Sequence, residues 1–161
     1  MEIVKATKDH LAEIVEIYNW AVVNTQATFD TKTKTPEDQH IWLEKHKGDY
    51  VLLVALEDKK VVGWAGVAPW SDRCAYDGTG EVAIYIHPHF HNQGLGTKLL
   101  KSLIKWGCQK EFRTLISKII STSEHSLALH RKLGFQDIGV MKNVGKKFDQ
   151  FLDVELLQYL Y

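Results

Sequence analysis

The chain has 161 residues, 45% of them hydrophobic and 25% charged, proportions that suit one folded domain with a full core. Twenty Lys and Arg balance twenty Asp and Glu, so no basic face is forced and nucleic acid is not an expected partner. No apolar run reaches membrane-spanning length, no charge block or repeat stands out, and the charged, amphipathic amino terminus is not that of a signal peptide.

In chain order, Glu2 to Lys5 reads as a short strand. Thr7 then suits the N-cap of a helix with Leu11, Ile14, Val15, Tyr18 and Val22 at helical spacing. Asn24 to Thr35 is polar and reads as a loop. Thr35-Pro36-Glu37-Asp38 opens a second helix, with a Thr cap, Pro at the first position and acids in the first turn; Gly48 is its expected end. Tyr50 to Leu56 and Val61 to Pro69 are apolar strands joined by a charged turn at Glu57 to Lys60. A loop from Asp72 to Gly80 precedes a strand that begins at Glu81.

A third helix is expected from Leu95 to Trp106, where Leu95, Leu99 and Leu103 stack at spacing four and Gly107 supplies a stop. Leu115 to Ile120 is a further strand, Ser126 to Leu133 a short helix closed by Gly134. Phe135 to Met141 and Asp149 to Leu156 are the last two strands. The order β-α-α-β-β-β-α-β-α-β-β predicts a mixed sheet with helices on both faces. A βαβ unit spans Glu81 to Ile120.

Chemistry concentrates at its first junction. Glu81-Val82-Ala83-Ile84-Tyr85-Ile86-His87-Pro88 reads as a strand, and His91-Asn92-Gln93-Gly94-Leu95-Gly96-Thr97 as a glycine-bearing loop entering a helix. Such a junction aims unpaired N–H groups and the positive helix end at one point, which suits a pyrophosphate. Gly94 and Gly96 let the backbone come close to an anion. A Gly-x-Gly before a helix is a weak signal alone. After a strand that carries a carboxylate, Glu81, it is a catalytic proposal. A Rossmann turn is excluded, because Gly-x-Gly-x-x-Gly beside the first strand and a ribose-binding acid about twenty residues on are both missing.

The element order and the loop His91 to Gly96 resemble the GNAT superfamily of acyl-CoA-dependent N-acetyltransferases over nearly the whole chain. Tyr18-Asn19, Thr28-Phe29-Asp30, Pro69-Trp70, Arg73-Cys74-Ala75-Tyr76, Leu129-His130-Arg131-Lys132-Leu133-Gly134-Phe135, Val144-Gly145-Lys146-Lys147-Phe148 and Leu152-Asp153-Val154 carry a narrower likeness. It is to the phosphinothricin and methionine sulfone or sulfoximine acetyltransferases. The resemblance implies an α/β fold with a mostly antiparallel sheet of about seven strands flanked by four helices. It implies acetyl-CoA as co-substrate, no metal, and a homodimer, with which the apolar end Phe151 to Tyr161 is compatible. It places the pyrophosphate on the amides of Asn92 to Thr97, with Ile84, Tyr85, Ile86, His91, Asn92, Gln93, Gly94, Leu95, Gly96, Thr97, Ser123 and Ser126 around the coenzyme. It also implies that the Glu81 strand and Leu115–Ile120 splay apart to admit the pantetheine arm. Two positions depart from the pattern: His91 stands where Gln or Arg is usual, and Ser123 where Asn is usual.

Transfer of an acetyl group to an amine needs an uncharged amine, a stabilised oxyanion and a protonated leaving thiolate. An α-amino group titrates at about 8, so a base must take its proton. Glu81 is the candidate, the other reading being a surface carboxylate at a strand end. For the oxyanion the resemblance implies a backbone N–H, that of Ile84 or Tyr85. His130 stands where many relatives have a Tyr proposed as general acid, though the phosphinothricin branch shows His there; the alternative is a packed, hydrogen-bonded histidine. A thiol titrates at roughly 8.5, so the thiolate needs modest help.

Arg73 and Tyr76 fall in the loop where the acceptor is expected, and an Arg suits the carboxylate of an amino acid. Phe29 would cover the other side. The competing readings are a solvated Arg and two core aromatics. Lys146 and Phe148 belong either to the same pocket or to a subunit contact. His87, His89 and His91 alternate, which invites a metal, but Pro88 breaks the ladder and no carboxylate or Cys completes a tetrahedral set. The five tryptophans are scattered and form no stacking stripe. Cys74 and Cys108 are far apart, which fits a reducing cytoplasm.

The expected function is acetyl-CoA-dependent N-acetylation of a small amine, an amino acid or an analogue such as methionine sulfone, methionine sulfoximine or phosphinothricin. No covalent enzyme intermediate is required. The alternatives are a peptide or protein amine, an aminoglycoside, or a non-catalytic acyl-CoA-sensing module. Arg73 argues against a polycation, and Glu81 with Arg73 and Tyr76 against a sensor.

Overall fold

The computed structural model describes residues 1–161, apart from the side chains of Pro36 and Gln39. The strands are β1 (Glu2–Lys5), β2 (Val51–Glu57), β3 (Lys60–Pro69), β4 (Thr79–Ile86), β5 (Thr114–Ile120), β6 (Gln136–Lys147) and β7 (Gln150–Leu160). The helices are α1 (Leu11–Asn24), α2 (Pro36–Lys45), α3 (Leu95–Gln109) and α4 (Glu124–Lys132). The seven strands form one sheet in the order β1-β2-β3-β4-β5-β7-β6. Every pairing is antiparallel except β4 with β5, whose crossover is α3.

The sheet separates two apolar cores. On one face Leu11, Ile14, Ile17, Tyr18 and Val22 of α1 pack on Leu52, Val54, Val61 and Trp64. On the other, Leu95, Leu99, Leu100 and Leu103 of α3 pack on Val51, Leu53, Val62, Ala65 and Leu115. Because β2 and β3 are covered on both faces, they read as continuous apolar runs rather than alternating ones. Each fully buried leucine of α3 contributes about 1.5–3 kcal/mol of transfer free energy, which anchors the helix start against β4.

Local signals explain most boundaries. The Thr35 N–H donates to the Asp38 carboxylate at 2.8 Å, closing the first turn of α2 as its Thr-Pro-Glu-Asp start predicts. Thr7 caps a short 3-10 turn, Lys8–His10, that leads into α1. Gly107 does not stop α3, which continues to Gln109. A Cβ on Gly107 would lie 2.0 Å from the Tyr161 hydroxyl, which donates to the Ile104 carbonyl at 2.9 Å; the glycine serves close approach rather than termination. The last two strands run past their predicted ends, forming a long hairpin whose tip residues Phe148 and Asp149 both have positive φ.

One feature of register positions the site. Strands β4 and β5 pair only from Thr79↔Thr114 to Val82↔Ser117. Beyond Val82, β4 stays paired with β3 as far as Ile86, and beyond Ser117, β5 stays paired with β7 as far as Ile120. The two halves of the sheet therefore part at its centre, as the resemblance implies.

Candidate active site

Two cavities meet at this parting. One, of about 670 Å³, opens on the α1 and α2 face and is bounded by Glu81, Lys118, Asp30, Phe29 and His130 among others. The second, of about 630 Å³, opens between α3 and α4 and is bounded by His91, Asn92, Gly94 to Thr97, Ser126 and Lys132 among others. Ile84 and Tyr85 line both. The arrangement gives two ligands one meeting point on β4.

The second cavity has the chemistry to accept an anion. Gly94 caps α3 with φ 76°, a left-handed conformation that costs little only without a Cβ. Among the described residues, the backbone N–H groups of Asn92 to Thr97 have no protein acceptor; all of these residues but Gln93 border the cavity, with the positive end of a fifteen-residue helix behind them. A Cβ on Gly96 would approach Leu129 Cδ2 to 3.1 Å and Ile86 Cδ1 to 3.4 Å. His91 Nε2–H donates to the Ile86 carbonyl at 2.9 Å, which turns this histidine away from a shared metal site with His87 and His89. Gln93 Nε2 donates to the His89 carbonyl at 3.0 Å, bracing the loop. Ser123 caps α4, its carbonyl accepting from Leu127 at 3.0 Å, while Ser126 lines the cavity.

The direction of the β4 backbone separates the two oxyanion candidates. The His87 N–H donates to the Val62 carbonyl at 3.0 Å and the Trp70 N–H to the Thr79 carbonyl at 3.3 Å, both continuing the β3–β4 register. Antiparallel ladder bonds recur at every second residue. Residues 81, 83 and 85 therefore turn their main chain toward β3. Ile84 and Ile86 turn theirs toward the parting, and the His91 contact with the Ile86 carbonyl fits that direction. The Ile84 N–H faces the junction; the Tyr85 N–H is committed to β3.

Glu81 lies on the β4 face that also carries Ala83 and Tyr85, the side of α1 and α2. Its Oε1 is 2.8 Å from Lys118 Nζ, with the two side chains 31% and 44% exposed. A half-exposed pair of this kind is worth about 0–1 kcal/mol, so it opens at little cost. Lys118 Nζ also lies 5.7 Å from the centre of the Trp70 ring. Tyr85 stands two residues beyond Ala83 in the same cavity, and burial pushes its phenol up to about 12, so it is neutral at physiological pH.

His130 is buried in the same cavity, with its ring edge-on to Phe135 at 5.0 Å. Its Nδ1 is 2.8 Å from the Ser126 carbonyl. A carbonyl only accepts, so Nδ1 holds the proton of the neutral ring and Nε2 offers a lone pair. Burial holds the imidazole below its ordinary pKa, against the opposing Ser126 bond. His46, also in the cavity, behaves alike, lowered first by burial and held to the Trp42 carbonyl at 2.6 Å.

A polar knot closes the far wall. The Tyr18 hydroxyl donates to Asp30 Oδ2 at 2.5 Å and lies 2.7 Å from Thr28 Oγ1; burial raises the Tyr18 phenol. Burial also pushes the Asp30 carboxyl upward, but Lys34 and Tyr18 outweigh it and hold it below the usual range. Lys147, buried, donates to the Thr28 carbonyl at 2.8 Å. The loop carrying Phe29 is thus held from both sides.

Arg73 and Tyr76 are exposed on the 3-10 turn before β4 and border neither cavity. Residues that do border the acceptor-side cavity without standing out in the sequence include Lys45, His46, Trp64 and Lys118. Lys118 had a visible signal: it is the lone charge in the mostly apolar strand from Leu115 to Ile120. Among the described residues, no group of three or more His, Cys, Asp or Glu is arranged to hold a metal.

The chain is similar to known proteins over nearly its whole length. The chain is 35% identical over 159 residues to the L-amino acid N-acyltransferase MnaT of Escherichia coli, covering 98% of this chain and 92% of that protein. It is 34% identical over 154 residues to the L-methionine sulfoximine/L-methionine sulfone acetyltransferase of Salmonella typhimurium, covering 95% and 90%. The GNAT superfamily phosphinothricin acetyltransferase of Sinorhizobium meliloti, solved in complex with acetyl-CoA, superposes with TM-score 0.95 at 31% identity, covering 99% and 87%. Residues 14–135 match the model of the acetyltransferase (GNAT) family, and it is to this family that the chain belongs.

Proposed function

We propose that the protein transfers an acetyl group directly from acetyl-CoA to the primary amine of an amino acid or an analogue of the methionine sulfone, methionine sulfoximine or phosphinothricin type. The observation that carries this reading is the meeting of two cavities at Ile84: an anion-accepting one formed by free amides, and one that holds Glu81. The coenzyme diphosphate rests on the N–H groups of Asn92 to Thr97 and its thioester reaches Ile84, whose amide points into the junction. The amine approaches from the Glu81 side, and Glu81 takes its proton directly or through a water.

His130 fits a two-stroke part. Its Nε2 carries no proton in the neutral ring, so it accepts one from the nitrogen of the tetrahedral intermediate before giving it to the leaving thiolate. Phe29 shapes the acceptor side. Arg73 and Tyr76 act, on this reading, from the rim, meeting the acceptor before it enters. The same reading takes the protein as a cytoplasmic homodimer that uses no metal and engages no nucleic acid or membrane. The free cysteines and the exposed apolar residues Ile138, Val140, Val144, Phe148 and Phe151 of the last hairpin support the first two points. Among the described residues, no helix is long and apolar enough to cross a membrane.

Release of free thiol from acetyl-CoA tests the reading. The panel contains free amino acids, methionine sulfone, methionine sulfoximine, phosphinothricin, an alanine-ended peptide and an aminoglycoside. Turnover is expected with the amino acids or analogues. Thiol release with the peptide or aminoglycoside alone overturns the acceptor class, and tight coenzyme uptake without thiol release on any amine indicates a sensor.

A further inference from the structure

The proposed base is not idle in this structure: it is paired, through a single contact, with a cation at the mouth of the parting strands. Lys118 follows Ser117, the last β5 residue paired with β4, and sits two positions beyond Ile116, the register partner of Glu81. Both side chains border the same cavity and meet at 2.8 Å. Arg73, the cation that the sequence suggests for an acceptor carboxylate, borders neither cavity. The charged and titratable groups facing this cavity are Tyr18, Asp30, Lys45, His46, Glu81, Tyr85, Lys118 and His130. Asp30 is engaged by Lys34 and Tyr18, and the two histidines are tied to backbone carbonyls.

We propose that Lys118 is the residue that recognises the α-carboxylate of the acceptor, and that this recognition unmasks Glu81. The inference rests on the amino-acid reading above and gives it a selectivity device. An α-amino acid carries an ammonium and a carboxylate on one carbon, so it can replace the Glu81–Lys118 contact at both ends at once. Its carboxylate takes Lys118, and its ammonium takes Glu81. The exchange is cheap because the resting pair is half exposed, and Lys118 Nζ is already near the Trp70 ring, which supports the displaced cation. An amine without a carboxylate has nothing to offer Lys118 and meets a carboxylate whose oxygen is still held by the lysine.

The transfer then balances. The α-ammonium group gives one proton to Glu81; the resulting amine forms the N–C bond, and the C–S bond breaks when the tetrahedral intermediate collapses. The second proton leaves nitrogen for the departing thiolate, and the Glu81 proton passes to solvent. The products are the N-acetyl amino acid and free CoA thiol.

The test compares kcat and KM for methionine sulfone and for its carboxamide, in the wild type, Lys118→Met, Lys118→Arg and, at the other lysine of the cavity, Lys45→Met. Binding of acetyl-CoA is followed by calorimetry. The wild type and Lys45→Met are expected to prefer the acid by about 10- to 100-fold in kcat/KM, the range for loss of one charge-assisted hydrogen bond. Lys118→Met brings the ratio to within about threefold, chiefly by raising KM for the acid, while Lys118→Arg restores most of the preference and acetyl-CoA affinity stays the same in all four. A wild type that treats acid and amide alike, or a preference that survives Lys118→Met, overturns the assignment and leaves amino-acid acetylation standing. A wild type that acetylates neither while acetylating another class of amine overturns both.

Discussion

The Phe29 ring occupies the space that a side chain on Gly145 would need: a Cβ built there falls 2.3 Å from Phe29 Cε2 and 2.6 Å from Cδ2. Phe29 lies in the loop after α1 and borders the acceptor-side cavity; Gly145 lies on β6, paired with Leu152 of β7. The last hairpin therefore sets one wall of the cavity through a missing side chain. Gly145→Ala is expected to displace Phe29, to cost about 1–3 kcal/mol by overpacking, and to raise the acceptor KM several-fold with acetyl-CoA affinity unaltered. Steady-state kinetics with calorimetry and thermal unfolding check each part.

Removing the proposed base separates chemistry from binding. Glu81→Gln keeps the shape and hydrogen-bonding capacity of the side chain but not its basicity. A fall in kcat of about 10²- to 10⁴-fold is expected, with the calorimetric Kd for acetyl-CoA within twofold of the wild type. Wild-type turnover of this variant across pH 6–9 would remove Glu81 from the mechanism.

The cradle makes the opposite prediction. Gly96 has Leu129 and Ile86 within van der Waals reach of a Cβ, and its amide is one of those without a protein acceptor. Gly96→Val places two methyl groups where the coenzyme diphosphate is proposed to rest. The Kd for acetyl-CoA is expected to rise at least tenfold, equivalent to about 1.4 kcal/mol, while thermal unfolding of the unliganded protein shifts by only a few degrees. Undiminished coenzyme uptake would move the diphosphate elsewhere.

Buried His130 and His46 both titrate below the ordinary histidine range because burial disfavours the cation. Above about pH 6.5 both are neutral in the folded and unfolded chain and contribute no pH dependence. As pH falls below that value the unfolded chain binds protons that the folded chain refuses, so stability declines toward the lowered folded-state pKa values. Urea midpoints measured from pH 7.5 to 5 are expected to fall, and the double variant His46→Gln, His130→Gln to show a shallower decline. An identical slope in the variant would assign the loss to other groups.

Much of the architecture is legible in the residues. Capping at Thr35 with Asp38, the leucine spacing of α3 and the apolar runs of β2 and β3 are local or periodic signals, and each element forms where they predict. The anion cradle is legible for the same reason: a strand, a glycine-bearing loop and a helix start are contiguous, so their geometry follows from local conformation. Gly107 misleads because a glycine's reason can lie in a distant partner, here Tyr161. The long last hairpin is under-read because β6 alternates poorly. Its burial is slight, and its register shifts after Asp137 and Met141 break the two-residue period.

What the sequence by itself determined is the identity of the elements, the glycine-bearing loop ahead of α3 and the carboxylate near the start of β4, because these depend on neighbours along the chain. Only the tertiary structure decided which amide faces the junction, that Lys118 meets Glu81 while Arg73 borders neither cavity, and that Phe29 is set by Gly145. The first two depend on strand register, and the third on a loop packed against a strand 116 positions away. No local preference encodes register; it is selected by the joint burial of two apolar cores against one sheet.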